Sequence, residues 1–436
     1  MNLRKRIRTG RDDAGRDDAG RDDAGRLTSG QADIAAHAGD DDMPTVPIPA
    51  RHVVTTFDAA SRHERIENKP LMVRFLRRVI THAFDVWLRI STTIVRGLNW
   101  TPRVEPYVGY GTDDYSRLIC RTVYAPAHQR SDEPVRGIWG MLAVPAPHRR
   151  VRISIDGMPL ETVQVGAAEV YDRVDRRRER SSEYAASDTS GYLDLVAEHR
   201  LEPGIHRVSY AVEGRKPVAA DLFTVPDDAR VGIISDVDDT IMITQAPTLW
   251  KAAYNLLFLS PKKRAPVPGM SVLFTKLQDL FPDAPFFYLS TSPWNVERQI
   301  RHFIADHGYP AGPLLLRDLD PRPKTFIPTG VQHKLEFAEQ LMADFPDMRF
   351  ILIGDDGQKD PTTYATITRR YPGRVLAIGI RQLSPRESSP LSSMAGITAT
   401  QPIPVTDVPV FTGTTGSNLM KTMLPYLKAH LAGTID

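Results

Sequence analysis

The stretch Val231-Gly-Ile-Ile-Ser-Asp236-Val-Asp238-Asp239-Thr240 joins a short apolar run to three acids and a threonine. The apolar run reads as a buried strand. A carboxylate at the C-terminal edge of such a strand, in a parallel α/β sheet, faces the crevice where these folds place their chemistry. Two carboxylates spaced i, i+2 and a threonine at i+4 suit phosphoryl transfer. One acid can attack phosphorus, and the other can pass protons to the leaving group and to water. The start of a calcium loop is excluded. Counted from Asp236, the sixth position is Ile241 rather than glycine, and the twelfth is Pro247 rather than glutamate.

Two later apolar runs end in residues of the same kind. Phe286–Ser290 leads into Ser290-Thr-Ser-Pro-Trp-Asn295. There Ser292 is expected to cap a helix that has Pro293 at its first position. The Ser290 hydroxyl beside that helix start would form an anion site. Arg349–Ile353 leads into Gly354-Asp355-Asp356-Gly-Gln-Lys-Asp360, whose carboxylates suit a hard cation such as Mg²⁺. Lys334 stands at the start of a helical segment before that strand, placed to balance charge on a nucleophile and a phosphate. One acid after one strand is as often a turn or cap residue, and His302, His307 and His333 read as surface or packing residues. The four sets in chain order point to a single site.

These residues need a frame. From Val231 onward apolar runs alternate with helical segments (Val231–Ser235, Phe286–Ser290, Arg349–Ile353, Val375–Ile380), which predicts an α/β domain over 226–436 with a parallel sheet and covering helices. A Pro/Ser/Thr-rich loop is expected over Ser384–Thr406, then a strand at Val408–Phe411 and a helix at Leu419–Leu431. Residues 104–225 hold short β-rich runs without helices between them and predict a small β-rich, sandwich-like domain. Within it Asp172–Arg180 reads as a solvated charged loop. Residues 46–103 form an amphipathic helical segment, with a helix over 69–98 between Pro70 and Gly97. Its arginines and apolar residues suit either an anionic membrane surface or packing on the next domain. Residues 1–45 carry Gly-Arg-Asp-Asp-Ala three times from Gly10 to Ala24 and are expected to be a disordered tail.

The chain has 436 residues, enough for two or three domains, and a net charge of +2, which gives no reason to expect a nucleic-acid partner. The single cysteine, Cys120, excludes an intramolecular disulfide and a cysteine-built metal site. It fits a reducing, cytoplasmic location. The basic N-terminus has no apolar run after it, so a signal peptide is not expected. No uncharged stretch has the length of a membrane span.

The whole set resembles the haloacid-dehalogenase-like phosphohydrolases, which use Asp-x-Asp-x-Thr, a strand-end Ser or Thr, a Lys and a terminal acidic pair. It is most similar to the phosphatidate phosphatase catalytic-domain family. The segments that carry this are Ala229–Ile241, Phe287–Asn295, Gly312–Asp318, His333-Lys334 and Ile353–Pro361. The resemblance implies a Rossmannoid parallel sheet with a small cap within 241–285, whose aromatic stretch (Trp250, Tyr254, Phe258) would meet lipid or pack on the core. It implies that Asp236 is the nucleophile and a Mg²⁺ ligand. Asp238 would be the general acid/base and offer its backbone carbonyl to the metal. Ser290, with Thr240 and Ser292 beside it, would bind the phosphoryl group, and Lys334 would orient it. Asp355 would ligate Mg²⁺ with support from Asp360. Asp356 departs from the small residue expected there and adds a further acid near the metal. Transporting ATPases of this superfamily carry a threonine where Asp238 stands, so hydrolysis is favoured. The implied reaction is Mg²⁺-dependent conversion of phosphatidate, or a related phosphorylated lipid, to diacylglycerol and phosphate through an aspartyl-phosphate, with peripheral contact to the membrane. Two other readings are a soluble phosphomonoesterase for a sugar phosphate or nucleotide and a non-catalytic membrane- or partner-binding scaffold.

Overall fold

The computed structural model of the chain describes residues 51–53, 71–129, 144–164, 169–172, 177–180, 191–243, 265–317, 330–357, 359–383, 404 and 406–431. The tail expected over 1–45, the aromatic stretch from Trp250 to Phe258 and most of the loop expected over Ser384–Thr406 lie outside them.

The β-rich part consists of β1 (Arg51–Val53), β2 (Trp100–Pro106), β3 (Gly109–Gly111), β4 (Tyr115–Pro126), β5 (Arg150–Ile155), β6 (Met158–Gln164), β7 (Glu169–Asp172), β8 (Arg177–Arg180), β9 (Tyr192–Glu198), β10 (Gly204–Val212) and β11 (Val218–Thr224), with helix α1 (Leu71–Gly97) before β2. Strand β5 shows the cause of the fold: Val151, Ile153 and Ile155 are buried while Arg150 and Arg152 are exposed, the alternation of a half-buried strand. Nine strands join in one sheet ordered β1-β9-β4-β3-β11-β10-β5-β6, with β2 on β4. All its pairings are antiparallel except β3 with β11. Both ends of this sheet, Leu118, Leu193 and Leu195 on one side and Ile153, Val208 and Tyr210 on the other, share a core, and β7 and β8 form a separate two-stranded sheet. The charged run around Asp172–Arg180 is not simply a loop, since β7 and β8 pair as a hairpin.

The second part opens with β12 (Val231–Asp236) and a short antiparallel pair, β13 (Met242–Ile243) and β14 (Ala265–Pro266). Then come α2 (Met270–Leu280), β15 (Phe286–Pro293), α3 (Glu297–Asp306), β16 (Leu314–Arg317), α4 (Gly330–Asp344), β17 (Arg349–Asp355), α5 (Asp360–Arg370), β18 (Val375–Arg381), β19 (Val410–Gly413) and α6 (Gly416–Leu431). Strands β16-β15-β12-β17-β18-β19 lie side by side in that order, all parallel. Helices cover both faces, which is why the strands are apolar throughout. Ile233 packs in one layer with Phe274 of α2, Phe303 of α3 and Met423 of α6. Its neighbour Ile234 packs in the other with Leu341 of α4 and Tyr364 of α5. Chain order reverses on either side of β12, so the crevice beyond the C-terminal ends of β12, β15 and β17 lies at the switch point of the sheet.

The β-rich sheet grips the end of β15. Trp294 is buried between Tyr107, stacked at 4.6 Å, and Tyr192, at 5.5 Å. Arg121 donates to Asn295 Oδ1 at 2.6 Å. On the opposite layer the Tyr110 ring meets Phe287 edge-on at 5.5 Å, and its hydroxyl donates to Asp344 Oδ2 at 3.0 Å and accepts from Gln340 at 2.9 Å. Replacing Trp294 by alanine leaves a cavity between two aromatic rings. We expect it to cost about 3–5 kcal/mol, read as a lower urea midpoint; an unchanged midpoint would show that this contact does not join the two parts.

Candidate active site

The first acid is the last residue of β12. Asp236 is buried, with one carboxylate oxygen 2.7 Å from Lys334 Nζ and the other accepting from Thr240 Oγ1 at 3.1 Å. Thr240 can reach back because the chain curls after the strand. Asp239 has φ 56°, the left-handed region, and Ile241 N returns to Val237 O at 3.1 Å. The buried Arg381 at the end of β18 holds this turn, donating to Asp239 O at 2.7 Å. Nothing in the residue pattern marked Arg381; only the fold brings it across two strands.

The second acid faces β15. Asp238 Oδ2 accepts from Ser290 Oγ at 2.7 Å and from Ser292 Oγ at 3.2 Å, and Ser290 Oγ accepts from Ser292 N at 2.9 Å. Asp238 Oδ1 is buried without a hydrogen-bond partner among the described residues. Ser292 therefore does not cap a helix. Pro293 ends the strand in extended conformation, a 3-10 turn covers Trp294–Val296, and α3 starts only at Glu297. The side chain is used on Asp238 instead of on a helix N-terminus, and the anion site expected from a helix start beside Ser290 is replaced by hydroxyls and a loop.

The third and fourth sets meet the first. Lys334 lies in the second turn of α4, fully enclosed, and bonds Asp360 as well as Asp236. Asp355 closes β17, accepts from Gly357 N at 2.8 Å, and donates its own N–H to Asp360 Oδ2 at 3.3 Å. Gly354 permits this approach, since a Cβ there would stand 2.5 Å from Asp360 Oδ2 and 2.9 Å from the Tyr364 ring. His333, read as a packing residue, does more than pack. It is buried, edge-on to Phe337, and its Nε2 lies 3.2 Å from Ser290 O.

Asp236, Asp355 and Asp360 each offer a carboxylate oxygen within 4.8 Å of the others. Asp238 and Asp356 stand outside this group by their side chains. Asp356 Oδ1 instead accepts from Leu383 N at 2.8 Å and so ties the end of β18 to β17. Three buried carboxylates face one ammonium. Burial pushes Asp236 up to about 8 against the pull of Lys334, helped by Asp360 and Asp238. Burial also raises Asp355 well above the usual carboxylate range, with Asp360 and Asp236 adding to it. Burial alone would lower Lys334, but Asp236, Asp360 and Asp355 together hold its ammonium above its ordinary value. Asp238 is raised by burial, with the serine hydroxyls opposing. The excess negative charge and the oxygen-only donor set suit a hard divalent cation.

Residues 231–382 match the family described as phosphatidate phosphatase APP1, catalytic domain. Phosphatidate phosphatase APP1 of Saccharomyces cerevisiae is 27% identical over 210 residues, which are 47% of this chain and 35% of that protein. An uncharacterised protein of Schizosaccharomyces pombe is 26% identical over 171 residues, 38% of this chain and 28% of that one. The chain thus spans about a third of the length of these curated relatives. Among solved structures, an acetyl xylan esterase from Butyrivibrio proteoclasticus aligns with a TM-score of 0.22 and 8% identity, covering 76% of this chain and 99% of that chain.

The Asp236 carboxyl is raised to about 8 in the fold, while an unfolded aspartate sits near ~4. The stability that this carboxyl contributes to the metal-free protein is therefore fully present below that lower value and is lost as pH rises through the window, by up to about 1.4 kcal/mol per unit. Asp236→Asn removes this titration. In chelator, its melting temperature should vary less with pH than that of the wild type; equal slopes would refute the assignment. Every acid, serine and lysine of the site lies inside residues 231–382, the segment that matches the family described as phosphatidate phosphatase APP1, catalytic domain.

Proposed function

We propose that the protein is a Mg²⁺-dependent, haloacid-dehalogenase-like phosphatase that hydrolyses phosphatidate, or a closely related lipid phosphate, to diacylglycerol and phosphate. The observation that carries this reading is the meeting of Asp236, Lys334, Asp355 and Asp360 in one buried group, with Asp238 and two serines beside it. The substrate class rests on the family whose catalytic domain residues 231–382 match.

In this mechanism an Asp236 oxygen attacks phosphorus and the bond to the ester oxygen breaks. The departing oxygen takes a proton from Asp238, giving diacylglycerol and an aspartyl-phosphate. Asp238 then removes a proton from water, whose oxygen attacks the same phosphorus. Phosphate leaves and the Asp236 carboxylate is restored. Oδ2 of Asp238 is occupied by the serine hydroxyls, so Oδ1 is the atom available to carry the proton. Ser290 and Ser292 can turn their hydroxyls to phosphoryl oxygens, and the Lys334 ammonium offsets charge on the equatorial oxygens. Asp236, Asp355 and Asp360 would hold Mg²⁺, with Asp238 adding its backbone carbonyl, and the cation would supply electrostatic stabilisation of the phosphoryl oxygens.

Asp236→Asn should lower phosphate release from phosphatidate in mixed micelles by at least about a thousandfold while the protein stays folded. Wild-type turnover should vanish in chelator and return with Mg²⁺. Persisting activity in the variant, or activity indifferent to chelator, refutes the mechanism. Faster turnover of sugar phosphates or nucleotides than of micellar phosphatidate would make the protein a soluble phosphomonoesterase.

A further inference from the structure

Helix α1 has a second apolar face that is left exposed among the described residues. One side of the helix is covered: Leu88, Ser91 and Val95 are buried, Val95 in a cluster with Tyr124, Val144 and Ala146. Arg96 ties down the same end by donating to Tyr124 Oη at 3.1 Å. Yet Phe75, Val79, Val86, Ile90 and Ile94 are 67%, 49%, 39%, 56% and 47% exposed. At about 100° per residue these five fall within an arc of roughly 100°, well away from the buried residues. The exposed Arg78 and Arg89 run along one edge of that arc. Over its 27 residues the helix has five arginines against one aspartate, Asp85. No helix among the described residues is long and apolar enough to cross a membrane.

We infer that this face of α1 is a docking surface for an anionic lipid bilayer, with the helix lying in the plane of the interface. An exposed apolar stripe edged by arginine matches a surface that is apolar below its headgroups and negative at them. A soluble protein partner would match the stripe but would not need the positive edge. The length of the stripe is also in keeping: from Phe75 to Ile94 it extends about 28 Å along the axis, so the contact is a line on a flat surface rather than a single anchor. The inference stands on α1 alone. It joins the lipid-phosphatase reading by placing the protein where a phosphorylated lipid is met, itself an anion.

The test is sedimentation of the full chain with vesicles of phosphatidylcholine alone or mixed with phosphatidylserine, which carries negative charge without being the proposed substrate. The wild type should sediment with the mixed vesicles, and less so as salt rises. The Val86→Asp/Ile90→Asp variant and, separately, the Arg78→Glu/Arg89→Glu variant should each lose on the order of tenfold or more in binding. Both should keep the wild-type melting temperature and turnover of p-nitrophenyl phosphate. A wild type that stays in the supernatant, or variants that sediment as the wild type does, would overturn the inference. So would gel filtration showing a wild-type dimer that the first variant splits, since a second copy of the chain would then cover the face. Asp236→Asn should bind vesicles normally. A wild type that turns over p-nitrophenyl phosphate but does not bind vesicles therefore defeats the docking surface alone, and a wild type that binds vesicles without turning over phosphatidate defeats the substrate reading alone.

Discussion

The buried ammonium of Lys334, held between Asp236 and Asp360, is the contact on which the site's geometry depends. Moving these charges out of water costs several kcal/mol each, and only close pairing offsets it. The pairing in turn fixes three elements at once. Asp236 ends β12, Lys334 rides on α4, and Asp360 begins α5 just after β17. A shift in any of them would leave a charge buried and alone. Gly354 shows how tight the demand is, because the space a side chain would need is taken by Asp360 and Tyr364.

The neighbouring residue couples this charge cluster to the serines. His333 and Lys334 leave the same turn of α4 in different directions, one toward Ser290 O on β15 and the other toward Asp236 and Asp360. One helix turn thereby bridges the ends of β12 and β15, strands that are already paired in the sheet. The β-rich sheet braces the same strand from outside, through Tyr107, Tyr192 and Arg121 on Trp294 and Asn295. The antiparallel part is thus in contact with the loop that follows Ser290 and Ser292, a structural role that its own sequence does not announce.

Strands covered on both faces were legible because they are continuously apolar and end in acids; Val231–Ser235 and Val375–Ile380 each extend by only one residue in the fold. Strand β16 was not read as an element, since Leu314–Arg317 has four residues and no periodicity to distinguish it from a loop. The Ser292 cap failed for a physical reason. A serine before a proline carries the signature of a helix start, but Asp238 offers its hydroxyl a charged or strongly polar partner within reach, and the strand continues. Arg381 and His333 were beyond reach of pattern reading, because their partners lie 142 and 43 residues away. For α1 the periodicity showed which positions were apolar. It did not separate those that face the β-rich sheet from those that face outward, since both sets repeat at helical spacing.

Two aspartates of identical chemistry, two residues apart, are given different surroundings by their neighbours. Asp236 belongs to the oxygen trio and touches the ammonium, so its burial-raised proton is lost readily once further positive charge neutralises that trio. Asp238 has no cation in contact among the described hydrogen bonds and ion pairs. Its partners are hydroxyls, and burial dominates their opposing effect. The same divalent charge that would ionise Asp236 therefore acts less on Asp238, whose carboxylate lies outside the trio. In the proposed mechanism, the separation of nucleophile from proton carrier would follow from one strand end being lined by charges and the other by serines. In that mechanism, exchanging the two roles would require moving α4, whose Lys334 contacts Asp236 and not Asp238, rather than changing either acid.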